Sequence, residues 1–192
     1  MFDIPFLAAQ VRHRSGNAPS SGKGLLAALG AALMSLVLTM AATAQQSGLP
    51  APDGEVLLMI TGNITATNDG DRAQFDRAML EELPQAVLKT RTVVTDGIKT
   101  FEGVLMRDLL GRVGAEGEAV TASALNDYII DIPMSDFRRF DVLVATHMDG
   151  KQLEPFDKGP LWIVYPRDAH GTLQDIRYDY RWVWQLTRIE VR

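Results

Sequence analysis

Asp-Gly pairs punctuate the chain between short apolar runs. Asp96-Gly97 separates Ala86–Thr95 from Lys99–Val104, and Asp149-Gly150 follows Asp141–His147. Such a pair supplies the left-handed backbone that a two-residue hairpin requires, so the flanking runs are expected to be antiparallel strands. Further strands are expected at Glu55–Ile60, before a turn at Gly62-Asn63, and at Val120–Ile132, Leu161–Tyr165 and Trp182–Val191. Phe75, Met79, Leu80 and Leu83 predict a helix over Asp71–Glu82 that Pro84 stops, and a second helix is expected over Leu105–Arg112, ended by Gly114. Many short strands with few short helices predict an α+β, β-rich domain.

The front of the chain reads as an export signal. Arg12, Arg14 and Lys23 lead into an uncharged apolar run, Leu25–Ala42, and Ala42-Thr43-Ala44 places small residues where a signal peptidase reads. Residues 1–44 are expected to be the signal peptide and residues 45–54, rich in Pro, Gly and Ser, a linker. Residues 55–192 have the length of one domain. The alternative to cleavage is an uncleaved membrane anchor; both readings put the domain outside the cytoplasm, in the periplasm.

Composition then removes whole classes of chemistry. The chain has no cysteine, which excludes thiol nucleophiles, Cys-bound zinc, iron–sulfur clusters and any metal that needs a protein thiolate. His147 and His170 are far apart and belong to no metal-ligand spacing, so no metal is expected. Ser123 and Ser135 lack a Gly-x-Ser-x-Gly setting. The net charge is −5 and no basic block interleaves with aromatics, so nucleic acid is not an expected partner.

The stretch ALNDYIIDIP, residues 124–133, places an amide, a carboxylate and a phenol at the head of an isoleucine-rich strand. Either Asn126, Asp127 and Tyr128 make a turn, or they hold a ligand. Asp96 raises the same question, because a carboxylate at the end of an apolar run needs partners if it is buried.

Five segments in order resemble a known family: TNDGDRAQFDRAMLEELP, TVVTDGIKTFEGVLMRDLLGRVGA, TASALNDYIIDIPMSDF, DVLVATHMDGKQLEPFDKGPLWIVYP and RYDYRWVWQLTRIEV. Over Val56 to Val191 they are similar to the small exported proteins of the sulfite-oxidase fold, the oxidoreductase molybdopterin-binding domain family. Phe101-Glu102-Gly103 and Asp108-Leu109-Leu110 resemble its aromatic-x-Gly and Leu-Leu segment. In molybdenum members of that fold a cysteine just upstream ligates the metal; here Thr90 to Asp96 reads TRTVVTD.

The resemblance therefore implies a pterin pocket without the metal's protein ligand. A pterin carries two adjacent donors, the 2-amino group and N3–H, which a carboxylate matches, and flat faces that suit aromatic and guanidinium planes. Asp127 with Asn126, Tyr128, Asp96, Arg181 and Trp182 supplies that inventory, with Tyr165 and Trp184 as walls. The alternative is that Asn126 and Asp127 cap a strand and the tryptophans are core. Cysteine-less members resemble periplasmic pterin-binding proteins that report to a membrane-bound signalling enzyme making or degrading cyclic di-GMP, or to a sensor kinase. An unconjugated pterin is thus the expected ligand. The other readings are a molybdopterin-dependent oxidoreductase and a ligand-free interaction module.

Overall fold

The structure is a computed structural model that describes residues 48–192. The expected signal peptide lies outside the described residues, as do the first residues of the expected linker. The described part of that linker is irregular but attached to the domain. Leu49 is buried, its N–H bonds to the carbonyl of Thr67 at 3.3 Å, and the N–H groups of Asp53 and Gly54 donate to the Asp76 carboxylate at 2.8 and 2.7 Å.

Among the described residues ten strands form two sheets. The first has the order β2-β1-β10-β5-β6, where β1 is Leu58–Gly62, β2 Ala73–Phe75, β5 Ala119–Ala124, β6 Ile129–Pro133 and β10 Leu186–Val191. In the second, β3 (Gln85–Arg91), β4 (Ile98–Leu105), β7 (Leu143–Met148) and β8 (Lys151–Gln152) lie in order, and β9 (Trp162–Val164) also pairs with β7. Among the described residues four short helices connect them: α1 Arg77–Glu81, α2 Met106–Arg112, α3 Met134–Arg139 and α4 Ile176–Asp179, with a 3₁₀ turn at Gly171–Gln174. Among the described residues no helix is long and apolar enough to cross a membrane.

Both sheets contribute to one core, in which Trp162, Tyr165, Phe75, Phe101 and Phe137 are fully buried. Phe101 meets Trp162 edge-on with ring centroids 5.3 Å apart, and Trp162 meets Trp182 at 6.4 Å. The sheets are tied where Ile163 N–H donates to Val183 O and Leu186 N–H to Leu161 O, both at 2.9 Å. Gly103 sits at a register shift between β4 and β7, and a Cβ there would run into the Val144 carbonyl. That close approach accounts for the glycine of the aromatic-x-Gly segment.

Two expected elements form as read. Helix α2 ends with Gly114 at φ 60°; Ala115 N–H bonds to Leu110 O and Gly114 N–H to Gly111 O, each at 3.0 Å, which is a Schellman closure. Asp149 and Gly150 both have positive φ, 51° and 73°, between the paired residues Met148 and Lys151, which makes the expected two-residue hairpin.

Four expectations need correction. Asp71–Glu82 is not one helix: Ala73 and Phe75 are buried with Gln74 turned outward, the alternation of a strand pairing with β1. The helix begins only at Arg77, because the Asp76 carboxylate accepts the Met79 N–H at 2.9 Å and caps it. Val120–Ile132 is not one strand but the hairpin β5–β6, with Ser123 paired to Ile129. The Asp96-Gly97 turn is wider than two residues, since β3 stops at Arg91, which pairs with Ile98. There the buried Thr92 hydroxyl accepts from Val94 N–H at 3.1 Å and lies 2.8 Å from Thr95 Oγ1, drawing the chain out of the ladder. Finally, α3 and α4 were not expected; both are too short, at six and four residues, for an apolar period to stand out.

Candidate functional site

Three of these departures, the β5–β6 turn, the wide loop after β3 and helix α4, meet at one place. The β5–β6 turn, the segment after β3, helix α4 and the chain entering β10 enclose a cavity of about 370 Å³, within the size range of small-molecule sites. Its walls are mainly apolar and aromatic: Val93 and Val94, Tyr128, Ile176, Tyr180, Trp182 and Trp184, with Asn126 and Asp179 as polar members.

Local chemistry explains why each wall stands there. The Thr92 hydroxyl bond that ends β3 leaves Val93 and Val94 projecting, 50% and 43% exposed. In the β5–β6 turn, Asn126 Oδ1 accepts from Tyr128 N–H at 3.1 Å and Ala124 N–H bonds to Tyr128 O at 2.9 Å, which aims Tyr128 across the cavity. Helix α4 is capped by Asp175, whose carboxylate accepts from Arg177 N–H at 2.9 Å. Ile176, Asp179 and Tyr180 stand at i, i+3 and i+4 from that start and so share one face.

The charged groups around the cavity are paired. Arg181 and Tyr165 both donate to Asp136, which is 5% exposed, and the Tyr165 bond is 2.9 Å. Burial and then the Asp136 charge push the Tyr165 phenol well above its ordinary range, so it stays protonated. Arg167 bonds to Asp179 and donates to Leu173 O at 3.2 Å. Arg91 pairs with Asp168 at 3.4 Å and Arg177 with Asp175 at 2.8 Å. Burial, followed by the nearby Tyr180, raises the Tyr128 phenol.

Of the eight residues singled out in the sequence, Asn126, Tyr128, Trp182 and Trp184 line the cavity. Tyr165 and Arg181 stand behind Trp182, whose ring centroid is 6.3 Å from that of Tyr165, and are bound to Asp136. Asp127 is exposed at the tip of the turn with φ 62°, and Asp96 is exposed in the loop after β3; neither belongs to the lining. The sequence reading missed Val93, Val94, Ile176, Asp179 and Tyr180. The alternation RYDYRWVW, with aromatics and charges in turn, was the available signal for the last two.

The β-rich α+β architecture, with its aromatic cavity at the junction of two sheets, is that of a sulfite-oxidase-like molybdopterin-binding domain. The family described as oxidoreductase molybdopterin binding domain matches residues 74–192, and the chain belongs to that family. Among solved structures it is similar to the sulfane dehydrogenase SoxCD from Paracoccus pantotrophus, with 18% identity and a TM-score of 0.53. That match covers 70% of this chain and 37% of that one, so the chain spans little more than a third of its length. No curated protein matches the chain in sequence.

The residues present fit one part of a molybdenum cofactor. A flat pteridine suits the aromatic walls. The metal does not fit, because the chain has no thiol and the segment that would carry it holds Thr92, whose hydroxyl is engaged with Thr95 and Val94. Among the described residues no group of three or more His, Asp or Glu is placed to hold a metal ion. A phosphate tail fits poorly too, since Arg91, Arg167, Arg177 and Arg181 are each already matched by a carboxylate.

Proposed function

We propose that the domain binds an unconjugated pterin rather than a complete molybdenum cofactor, and that it acts outside the cytoplasm as a ligand sensor. The observation that carries this reading is the cavity wall itself. The segment where molybdenum members bear their metal-binding cysteine contributes Val93 and Val94 to an apolar slot instead. Trp182, Trp184, Tyr128 and Tyr180 line the cavity and offer aromatic surface to a flat ring. A cavity of about 370 Å³ suits a bicyclic ring with a short substituent. With no thiolate to hold molybdenum, the bound ring is read as a signal rather than as part of a molybdenum redox centre.

Residues 1–44 carry the features of a secretory signal, which supports export to the periplasm with a mature chain starting near Gln45. The receiver is proposed to be a membrane-bound signalling protein, an enzyme of cyclic di-GMP turnover or a sensor kinase, whose outer domain meets the loaded form.

Protein purified from its native compartment tests the reading. Mass and elemental analysis should find a chain lacking residues 1–44, a pterin, and no molybdenum. Molybdenum near one equivalent would replace it with a molybdopterin-dependent oxidoreductase, and a chain that neither carries nor takes up any pterin would leave an interaction module.

A further inference from the structure

We propose that Asp179 reads the 2-amino and N3–H edge of the ring, so that the cavity selects 2-amino-4-oxo pteridines over their 2-oxo counterparts. This rests on the pterin reading above and assigns the selectivity of that same site.

Among the described residues, Asp179 is the one lining residue with a charged side chain. It lies on the α4 face that also presents Ile176 and Tyr180 to the cavity, and its side chain is 19% exposed. A carboxylate offers about four lone-pair directions. Arg167 takes one of them at Oδ1, and no other donor to the Asp179 carboxylate is present among the described residues. Arg167 is itself held by the carbonyls of Leu173 and Gln174, at 3.2 and 3.5 Å, so it anchors the carboxylate to the 3₁₀ turn before α4. What remains is a fixed acceptor pair in an apolar slot, whose charge is already balanced.

Among the described residues, the buried Trp182 Nε1 and the Asn126 amide nitrogen are lining donors left without a partner, whereas the Asn126 side-chain oxygen and the Tyr128 hydroxyl are engaged. Asn126 Oδ1 accepts from Tyr128 N–H, and the Tyr128 hydroxyl donates to Tyr180 O at 2.7 Å. Asp127, the acceptor expected from the sequence, is exposed outside the lining. The free lone pairs of Asp179 therefore face a ligand edge that must donate. In a pterin the 2-amino group and N3–H are two donors side by side, and both can be satisfied at once. In lumazine, the 2,4-dioxo analogue, the same edge is one donor beside a carbonyl, which sets an oxygen against the carboxylate. A buried polar mismatch of this kind is discriminated far more strongly than a difference in size.

Calorimetric titration of pterin and of lumazine into the purified chain and into Asp179→Asn, with a thermal melt of each protein, tests the assignment. The wild type should prefer pterin by roughly a hundredfold. Asparagine presents one acceptor and one donor, the complement of the lumazine edge, so Asp179→Asn should lose that preference or reverse it while staying folded. A residue that only braces α4 would weaken both ligands together. Equal binding of the two by the wild type, or an Asp179→Asn variant that keeps the preference, overturns the Asp179 role and leaves the pterin reading standing. If neither heterocycle binds the wild type, both fall. Should Asp179→Asn not fold, a pterin whose 2-amino group is dimethylated decides on the wild type alone: binding as tight as that of pterin overturns the assignment, and a loss of about a hundredfold supports it.

Discussion

The hydroxyl of Tyr128 donates to the backbone carbonyl of Tyr180 across 2.7 Å, joining the β5–β6 turn to the end of helix α4 over 52 residues of sequence. This bond links two walls of the cavity that have no other hydrogen bond to each other among the described residues. Both rings also line it, so the bond fixes the width of the slot as well as its cover.

Tyr128→Phe keeps the ring and removes the bond. A neutral hydrogen bond of this kind contributes about 0.5–1.5 kcal/mol. Pterin affinity should fall by roughly 2- to 12-fold, read by titration, while the melting temperature changes little because the bond lies at the surface.

Val94→Trp should abolish ligand binding without unfolding the domain. Val94 is 43% exposed and sits in a loop with no ladder partner, so the larger side chain meets the cavity rather than the core. Circular dichroism should match the wild type when pterin titration shows no binding.

Asp127→Gly should leave pterin affinity unchanged and hold or raise the melting temperature. Asp127 has φ 62°, where a residue with a Cβ is strained and glycine is not, and its carboxylate lies outside the cavity lining. A marked loss of affinity in this variant would return the ring-edge acceptor to Asp127.

Stability should be level near neutral pH and fall in acid. Four carboxylates are held below the ordinary 3.8: Asp76 by the N–H groups of Met79 and Gly54, Asp131 by the Thr121 hydroxyl and Arg192, Asp149 by Thr100 N–H and Lys99, and Asp175, at about 2, by Arg177. A depressed carboxylate stabilises the fold above its unfolded value and stops doing so as pH drops through its folded value. The melting temperature should therefore decline from about pH 4 toward pH 2. Asp76→Asn should flatten part of that decline and also lower the melting temperature at neutral pH, since the amide cannot serve the same three N–H donors as well.

Strand content and the class of fold were legible because they rest on local signals. Asp149-Gly150 dictates its own hairpin, and Gly114 its own helix end. The cavity was only half legible. Trp182 and Trp184 are prominent in any reading, but ALNDY looked like the head of a strand because Ile129, Ile130 and Ile132 follow it directly. The turn depends on Asn126 bonding back to Tyr128 N–H, a contact that competes with the ladder and leaves no periodic trace. Asp179 was hidden for another reason. Its role follows from α4, a helix of four residues too short to show a period, and from the pairing of Arg167 with it. Asp96 and Asp127 drew attention as carboxylates beside apolar runs, yet only burial distinguishes a ligand-facing acid from a solvated one, and both are exposed.

Strand β10 lies between β1 and β5, parallel to the first and antiparallel to the second, with Met59 beside Arg188. The middle of that sheet is thus synthesised after every other strand described, and the tryptophans of the cavity come just before it. Until the ribosome has delivered these residues, β1 has nothing to pair with on one side, and the facing edges of both neighbours wait unpaired. Pairings between segments far apart in sequence are slow to form. For a protein exported as proposed, that delay favours passage in an unfolded form, with sheet and ligand slot completed together on the far side.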